Sequence, residues 1–321
     1  MSKLKDLGND LYSGKVSFDF VGRRKLWYLI AVVVVLFSIL APVLKGGFNF
    51  GIEFRGGSEF RIDGVSNLSQ QLARDAVQSV EPGIEPLVTT VGLDAVRVQT
   101  EQLDDVTSEE MRIALAGAYQ VDSSAVTSSF IGANWGADVT EKAILGLVVF
   151  LLLVSLFMAL YFRTIKMSIA ALVALAHDMI FTLGIYALSG FEITPAAVIG
   201  FLTILGYSLY DTVVIFDKIR ENTLDVEFSE TTTFSSQVNL AINQTIVRSV
   251  NTSIVSALPI ASILLIGAVV LGTGTLRDIS LALFVGVIVG TYSSVFLAGP
   301  LYAHLRENDA KFTNSKARVQ V

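Results

Sequence analysis

The chain has 321 residues, 52% of them hydrophobic and only 16% charged, with a mean hydropathy of +0.62. That balance describes a membrane protein with an attached water-exposed part. It holds no cysteine and only two histidines, His177 and His304. A disulfide framework, a thiolate metal site and a histidine-built metal centre are therefore excluded, and a net charge of −6 without a clustered basic face speaks against nucleic acid as a partner.

The first apolar run, Leu26–Leu44, follows an N-terminal segment (residues 1–25) carrying Lys15, Arg23, Arg24 and Lys25. A bilayer takes about 20 residues to cross. No small-residue cleavage pattern closes the run, so it is expected to remain as a span. Residues 45–141 are hydrophilic, acidic in balance and read as α+β. Phe48–Asp63 alternates in strand fashion around Gly56-Gly57, a pair that lacks the downstream Lys-Ser/Thr of a phosphate loop and reads as a strand bend or bulge. Asn67–Val80 has helical spacing after an Asn67 cap. Pro86–Val91 and Ala95–Leu103 read as strands about a Gly92-Leu93-Asp94 turn. Ser108–Tyr119 opens with Ser108-Glu109-Glu110, suited to a helix start, and Ser124–Ile131 is a last β-rich piece. The order β-α-β-β-α-β is the ferredoxin-like pattern, which by itself carries no function.

Five further apolar runs lie within residues 142–303: Ala143–Phe162, Met167–Leu188, Pro195–Phe216, Val247–Leu271 and Ile279–Ala303. The polar, Thr- and Ser-rich stretch Glu221–Asn239 reads as a solvated connector within a cytoplasmic loop, 218–244, and residues 304–321 form a tail. The expected fold class is thus a membrane all-α bundle of six transmembrane helices with one small α+β, ferredoxin-like extracytoplasmic domain. Basic residues of short loops set orientation. If all six runs span, the N-terminal flank, Arg163 with Lys166, Lys218 with Arg220, and Arg306, Lys311, Lys316 and Arg318 of the tail fall on one side. Both termini are then cytoplasmic in a multi-pass protein of the bacterial inner membrane, with residues 45–141 outside. Five spans, with one run buried in a soluble core, would break that alternation.

A carboxylate at membrane depth is costly and usually lines a path for ions or protons. Asp211 is such a residue, well inside the fourth run. Thr203, Tyr207 and Asp211 recur at i, i+4, i+8 and stack on one helix face. Gly200 and Gly206 admit a neighbouring helix, so that stripe is expected to face protein. Desolvation and a nearby cation pull on a buried carboxylate in opposite senses, a balance suited to a proton carrier. Arg248 opens the fifth run, with Thr252, Ser256 and Pro259 behind it. It either pairs with Asp211, which lowers the cost of both charges, or snorkels to the cytoplasmic headgroups. His177-Asp178, with Thr182 one turn on, lies at a comparable depth in the third run. His177 suits a proton relay or a structural hydrogen bond that pins helix packing, and the role of Asp178 is open. Asp217, Lys218, Arg220 and Glu221 read as a solvated cluster at the membrane edge. Gly286 and Gly290, with Ser293 and Ser294 beyond, read first as helix-packing positions.

At these residues the chain resembles the SecD/SecF family of bacterial protein export, within the resistance-nodulation-division superfamily. The likeness is carried by Ser17-Phe18-Asp19-Phe20-Val21-Gly22-Arg23-Arg24-Lys25, by Gly51-Ile52-Glu53-Phe54-Arg55-Gly56-Gly57 just after the first run, and by Ala176-His177-Asp178. Gly206-Tyr207-Ser208-Leu209-Tyr210-Asp211-Thr212, Asp217-Lys218-Ile219-Arg220-Glu221-Asn222, Gln244-Thr245 with Arg248, and Gly290-Thr291-Tyr292-Ser293-Ser294 complete it. The resemblance implies a six-span half paired with SecD as its pseudo-symmetric other half. It also implies association with the SecYEG channel and a translocating unfolded polypeptide, and use of the proton-motive force in late steps of translocation after the ATPase SecA has acted. Protons would be the coupling ion, with no other cofactor. The residues matching Asp211 and Arg248 serve proton transport in that picture, and Asp178, His177, Tyr207, Tyr210 and Thr252 join the expected pathway, with Gly51, Glu53, Gly56 and Gly57 as the outside motif. Three positions depart from the family pattern: Tyr210 stands where Asn is usual, and Glu53 and Arg55 stand where Asp and Thr are more common. Two rival readings are a half-size small-molecule or lipid exporter of the same superfamily and a non-transporting assembly factor for membrane proteins. An enzyme is not expected, because the outside segment offers no nucleophile–base pair.

Overall fold

The computed structural model describes residues 8–162, 164–224, 226, 232–267, 274–309 and 312. Arg163, Lys311, Lys316, Arg318, much of the loop (225 and 227–231) and the end of the fifth run (268–271) lie outside the described residues. In chain order the elements are α1 (Arg24–Lys45), the single turn α2 (Ile52–Arg55), β1 (Gly57–Asp63), α3 (Gln70–Val80), β2 (Leu87–Val91), β3 (Ala95–Thr100), α4 (Asp105–Tyr119) and β4 (Val126–Ile131). There follow α5 (Ala133–Phe162), α6 (Ile165–Ser189), α7 (Pro195–Asn222), α8 (Phe234–Leu265), α9 (Gly274–Ser293), a π-helical segment (Ser294–Ala298) and α10 (Gly299–Arg306).

Six helices among the described residues are long and apolar enough to cross a membrane: α1, α5, α6, α7, α8, and the run α9–π–α10, Leu276–Arg306. The sequence reading differs from this at α8, which starts at Phe234, well before the expected Val247. Its first turns are amphipathic, with Val238, Ala241 and Ile242 buried, and the Thr233–Ser236 capping box fixes the start. Since α7 runs on to Asn222, both ends of the expected 218–244 loop, 218–222 and 234–244, are helical. Asn239 and Asn243 of α8 clasp the N-terminal lead-in. Asn239 Oδ1 accepts from the amides of Phe20 and Val21, and Asn243 Oδ1 from that of Phe18.

Residues 57–131 fold into an antiparallel four-stranded sheet in the order β2-β3-β1-β4, with β1 pairing β3 and β4. Period-two alternation puts Phe60, Ile62, Val96 and Val98 on the face covered by α3 and α4, where Met111 and Leu115 complete the core. The opposite face carries Glu59, Arg61, Arg97 and Gln99, paired as Glu59↔Gln99 and Arg61↔Arg97. The expected strand from Phe48 does not form. The chain makes the α2 turn first and reaches β1 through Gly56 and Gly57, both at positive φ. Gly57 also lies against the Thr100 carbonyl, where a Cβ has no room. The helix expected from Ser108 begins one turn earlier, because Asp104 accepts from the Thr107 amide and caps it. In the bundle, α7 and α9 approach closely through glycines. A Cβ on Gly286 would run into Ile204, and one on Gly290 into Ser208.

Candidate functional site

The centre of the bundle holds two carboxylates wrapped in hydroxyls. Asp178 on α6 is 3% exposed. Its Oδ2 accepts from Ser208 Oγ of α7 at 2.6 Å and from Ser293 Oγ of α9 at 2.8 Å, while its Oδ1 lies 3.1 Å from His177 Nδ1. Asp211, one turn beyond Ser208 on α7, is 7% exposed. Its Oδ1 accepts from Ser249 Oγ of α8 at 2.7 Å, and its Oδ2 is buried without a partner among the described residues. Thr212 and Ser294 hydroxyls meet at 2.8 Å beside this pair, and Ser253 bonds Thr291 across α8 and α9. The π-helical segment starts at this point. Such bulges are frequent at functional sites, and here consecutive residues Ser293 and Ser294 both reach inward, each fully buried.

The structure brings Asp178, His177 and Asp211 into one layer. The expected Asp211–Arg248 ion pair is not formed. Arg248 is exposed on the chain's surface and donates to Tyr210 Oη at 3.1 Å. The reason is helical phase: successive residues lie about 100° apart, so Ser249 faces Asp211 while Arg248 turns outward. Tyr207 donates to Ser256 Oγ at 3.2 Å, and Thr252 is half-buried on α8. The stripe expected to face protein does so in part: Asp211 is buried and Tyr207 half-buried, but Thr203 is exposed; Gly200 admits α9, where a Cβ would meet Ala282, whereas no described residue lies near a Cβ on Gly206. His177 Nε2 and Tyr292 Oη are buried without partners among the described residues, their rings 6.1 Å apart. Ser208, Ser249, Ser293, Ser294 and Thr212 were not among the expected pathway residues. Their signal was spacing: Ser208 stands three residues before Asp211, on the same face.

A second polar cluster joins the four-stranded sheet to the bundle. Glu192, between α6 and α7, is 3% exposed. Its carboxylate accepts from Arg97 Nη2 at 2.6 Å and from Gln99 Nε2 at 3.1 Å, both on the polar face of β3. Gln99 also donates to Glu59 at 2.9 Å. Two residues on, Thr194 caps α7 and donates to Asp278 Oδ2 on α9 at 3.1 Å, and Arg277 stacks on Phe191 at 4.7 Å. The outside motif sits here. Gly51 donates its amide to the Ile193 carbonyl at 3.0 Å, and Glu53, half-buried, lines a cleft with Glu59, Arg97, Thr194 and Asp278. Burial raises the Glu53 carboxyl above its ordinary value, with the nearby carboxylates Glu59 and Glu192 adding to the rise.

Comparison with known proteins places these features. Residues 111–308 match a profile described as protein export membrane protein SecD/SecF, C-terminal, and residues 44–63 match the SecD/SecF GG motif. The protein translocase subunit SecF of Streptomyces coelicolor is 42% identical over 99% of this chain and 85% of its own length. That of Mycobacterium tuberculosis is 41% identical over 96% of this chain and 72% of its own. The crystal structure of the translocon-associated membrane protein SecDF of Thermus thermophilus superposes with a TM-score of 0.80 at 30% identity, over 91% of this chain and 39% of that one. A super-membrane-facing form of SecDF gives 0.62 at 27% identity, over 95% of this chain and 40% of that one. This chain thus spans about two-fifths of a SecDF chain.

Proposed function

The chain belongs to the SecD/SecF family of protein-export membrane proteins, and from that premise we propose that it is a translocase accessory subunit that couples proton flow to movement of its outside domain. Its partners in this reading are a SecD half, the SecYEG channel and the unfolded polypeptide in transit. All six apolar helices span the inner membrane, both termini are cytoplasmic, and residues 45–141 form a ferredoxin-like outside domain, a reading favoured by the β2-β3-β1-β4 order. Protons are the coupling ion, and no other cofactor takes part.

The observation that carries this reading is the Asp178–Asp211 pair, of whose carboxylate oxygens Asp211 Oδ2 is the one without a partner among the described residues. A buried carboxylate oxygen left unmatched is expensive, and that atom is where a proton is taken up and released. Protonation changes what Asp211 asks of Ser249, and α7 shifts against α8 and α9. The same helix begins at Thr194, about 25 Å away at 1.5 Å per residue, next to the Glu192 contact with the outside sheet. One charge crossing 100 mV releases about 2.3 kcal/mol, enough to shift a two-state equilibrium close to fifty-fold. Arg248, Tyr210 and Thr203, exposed on this chain alone, would be costly against lipid and are the face we assign to the SecD half.

The test is Asp211→Asn and Asp178→Asn in a complex reconstituted with its partner subunit and channel, read by proton flux and by completion of export. Asp211→Asn is expected to abolish both. Wild-type flux and export in that variant would overturn the reading.

A further inference from the structure

Between the outer ends of α5, α6 and α7 and the Phe48–Arg55 lead into the sheet lies a cavity of about 530 Å³. Its wall is largely apolar, with Phe50, Phe54, Leu147, Leu183 and Phe201 among the lining residues. Ile144 of α5 lines it and is exposed, so the cavity opens on the face that α5 turns to the bilayer. Arg55 is the one charged residue among those lining it. Its guanidinium is exposed and makes no ion pair among the described residues. The volume lies within the range of ordinary ligand sites, roughly 300–1,000 Å³.

We propose that this cavity holds one acyl chain of an outer-leaflet anionic phospholipid, with the lipid phosphate on Arg55. The lining decides between an acyl chain and a stretch of exported polypeptide. A peptide brings amide groups that need partners wherever water is excluded. This wall offers the Thr140 hydroxyl, already donated to the Gly136 carbonyl at 2.8 Å, and Arg55 at the mouth. A hydrocarbon chain needs none, and gains from each apolar contact. A guanidinium at the mouth supplies a planar set of donors matched to a phosphate. The bound lipid would brace α2 and the outer ends of α6 and α7 beside the outside-sheet contact. This site is independent of the proton reading, because its readout is lipid binding.

The complex with its partner subunit is reconstituted in vesicles of equal phosphatidylglycerol and phosphatidylcholine, extracted in mild detergent and weighed by native mass spectrometry. Wild type is expected to retain a phospholipid with about a tenfold preference for phosphatidylglycerol, the scale of one charge-assisted contact. Arg55→Gln should erase the preference and keep a lipid. Two independent fillings, Ala143→Phe and Leu183→Trp, should each cut retention about tenfold while the partner subunit still co-purifies. An unchanged preference in Arg55→Gln, wild-type retention in a filled variant that keeps its partner, or a photoreactive group at Leu147 that captures exported peptide and not lipid would each overturn the proposal.

Discussion

Ser249 hydrogen-bonds Asp211 and Arg248 does not, and the proposed proton site turns on that one-residue difference. A hydroxyl can donate to either form of a carboxyl group, whereas a guanidinium holds it ionised. In the proposed reading, a serine contact in place of a direct guanidinium contact lets the acid cycle. Outside the membrane, Glu53 gives a cleaner titration. Burial raises its carboxyl above the ordinary value of 4.5, so the folded state keeps its proton after the unfolded state has lost it. By linkage, stability is then highest below about pH 4.5 and falls as pH rises through the folded value. Glu53→Gln should remove that decline. Hydrogen exchange of the Ile52–Arg55 turn and β1, followed from acid to neutral pH, should show rising opening in wild type and a flat profile in the variant. A parallel decline in both would exclude Glu53 as the source. The acids themselves were legible in the sequence because a charge inside an apolar run stands out. Their hydroxyl partners were not, because a serine in a membrane helix is equally at home bonded to its own backbone, and only the fold shows which serines turn inward.

Helix contacts translate that site into shape. Gly290 lets α9 come so close to α7 that Ser208 lies against it, and Ser208 and Ser293, three residues past Gly290, both hold Asp178. Gly290→Ala should force the pair apart and cost about 1–3 kcal/mol, the usual range for an overpacked core. Its effect on proton flux should exceed that of Gly146→Ala, whose Cβ meets open space. Thermal unfolding and flux measured side by side check this; equal flux in the two variants would show that the close approach is not needed. At this scale the apolar runs were readable because length and hydropathy suffice for a membrane helix. The start of α8 was not, since Phe234–Ile246 mixes Ser, Asn, Gln and Thr with a buried apolar stripe and reads as connector until its packing is seen. The Phe48–Arg55 stretch likewise alternates as a strand would, but an isolated bridge from Phe50 to Ile193 ties it to the bundle, and it turns helical before Gly56 breaks it.

At the scale of the whole molecule, a buried ion pair strengthens the junction between the two parts. The polar face of the four-stranded sheet is turned to the bundle, and Arg97 and Gln99 converge on Glu192. Arg97 and Glu192 are 12% and 3% exposed at their side chains. Truncating one partner of such a pair strands the other charge and costs about 3–5 kcal/mol. That is more than the roughly 2.3 kcal/mol one proton supplies across 100 mV, so a single proton does not break the contact outright. In the proposed cycle, movement of the sheet domain would therefore carry Glu192 with it, or Arg97 would exchange Glu192 for another partner such as Glu59, whose carboxylate is already 4.0 Å from that guanidinium. The chain's lack of cysteine makes the choice measurable. Paired changes Arg97→Cys and Glu192→Cys, joined by a reducible cross-linker, fix the sheet to the α6–α7 connection. If the contact is exchanged during the cycle, export should stall in the cross-linked complex, resume on reduction, and continue in either single variant after cross-linker treatment. Export that proceeds unchanged while the link is intact would mean that the sheet and the bundle travel as one body, and the moving joint would then have to lie at the SecD half.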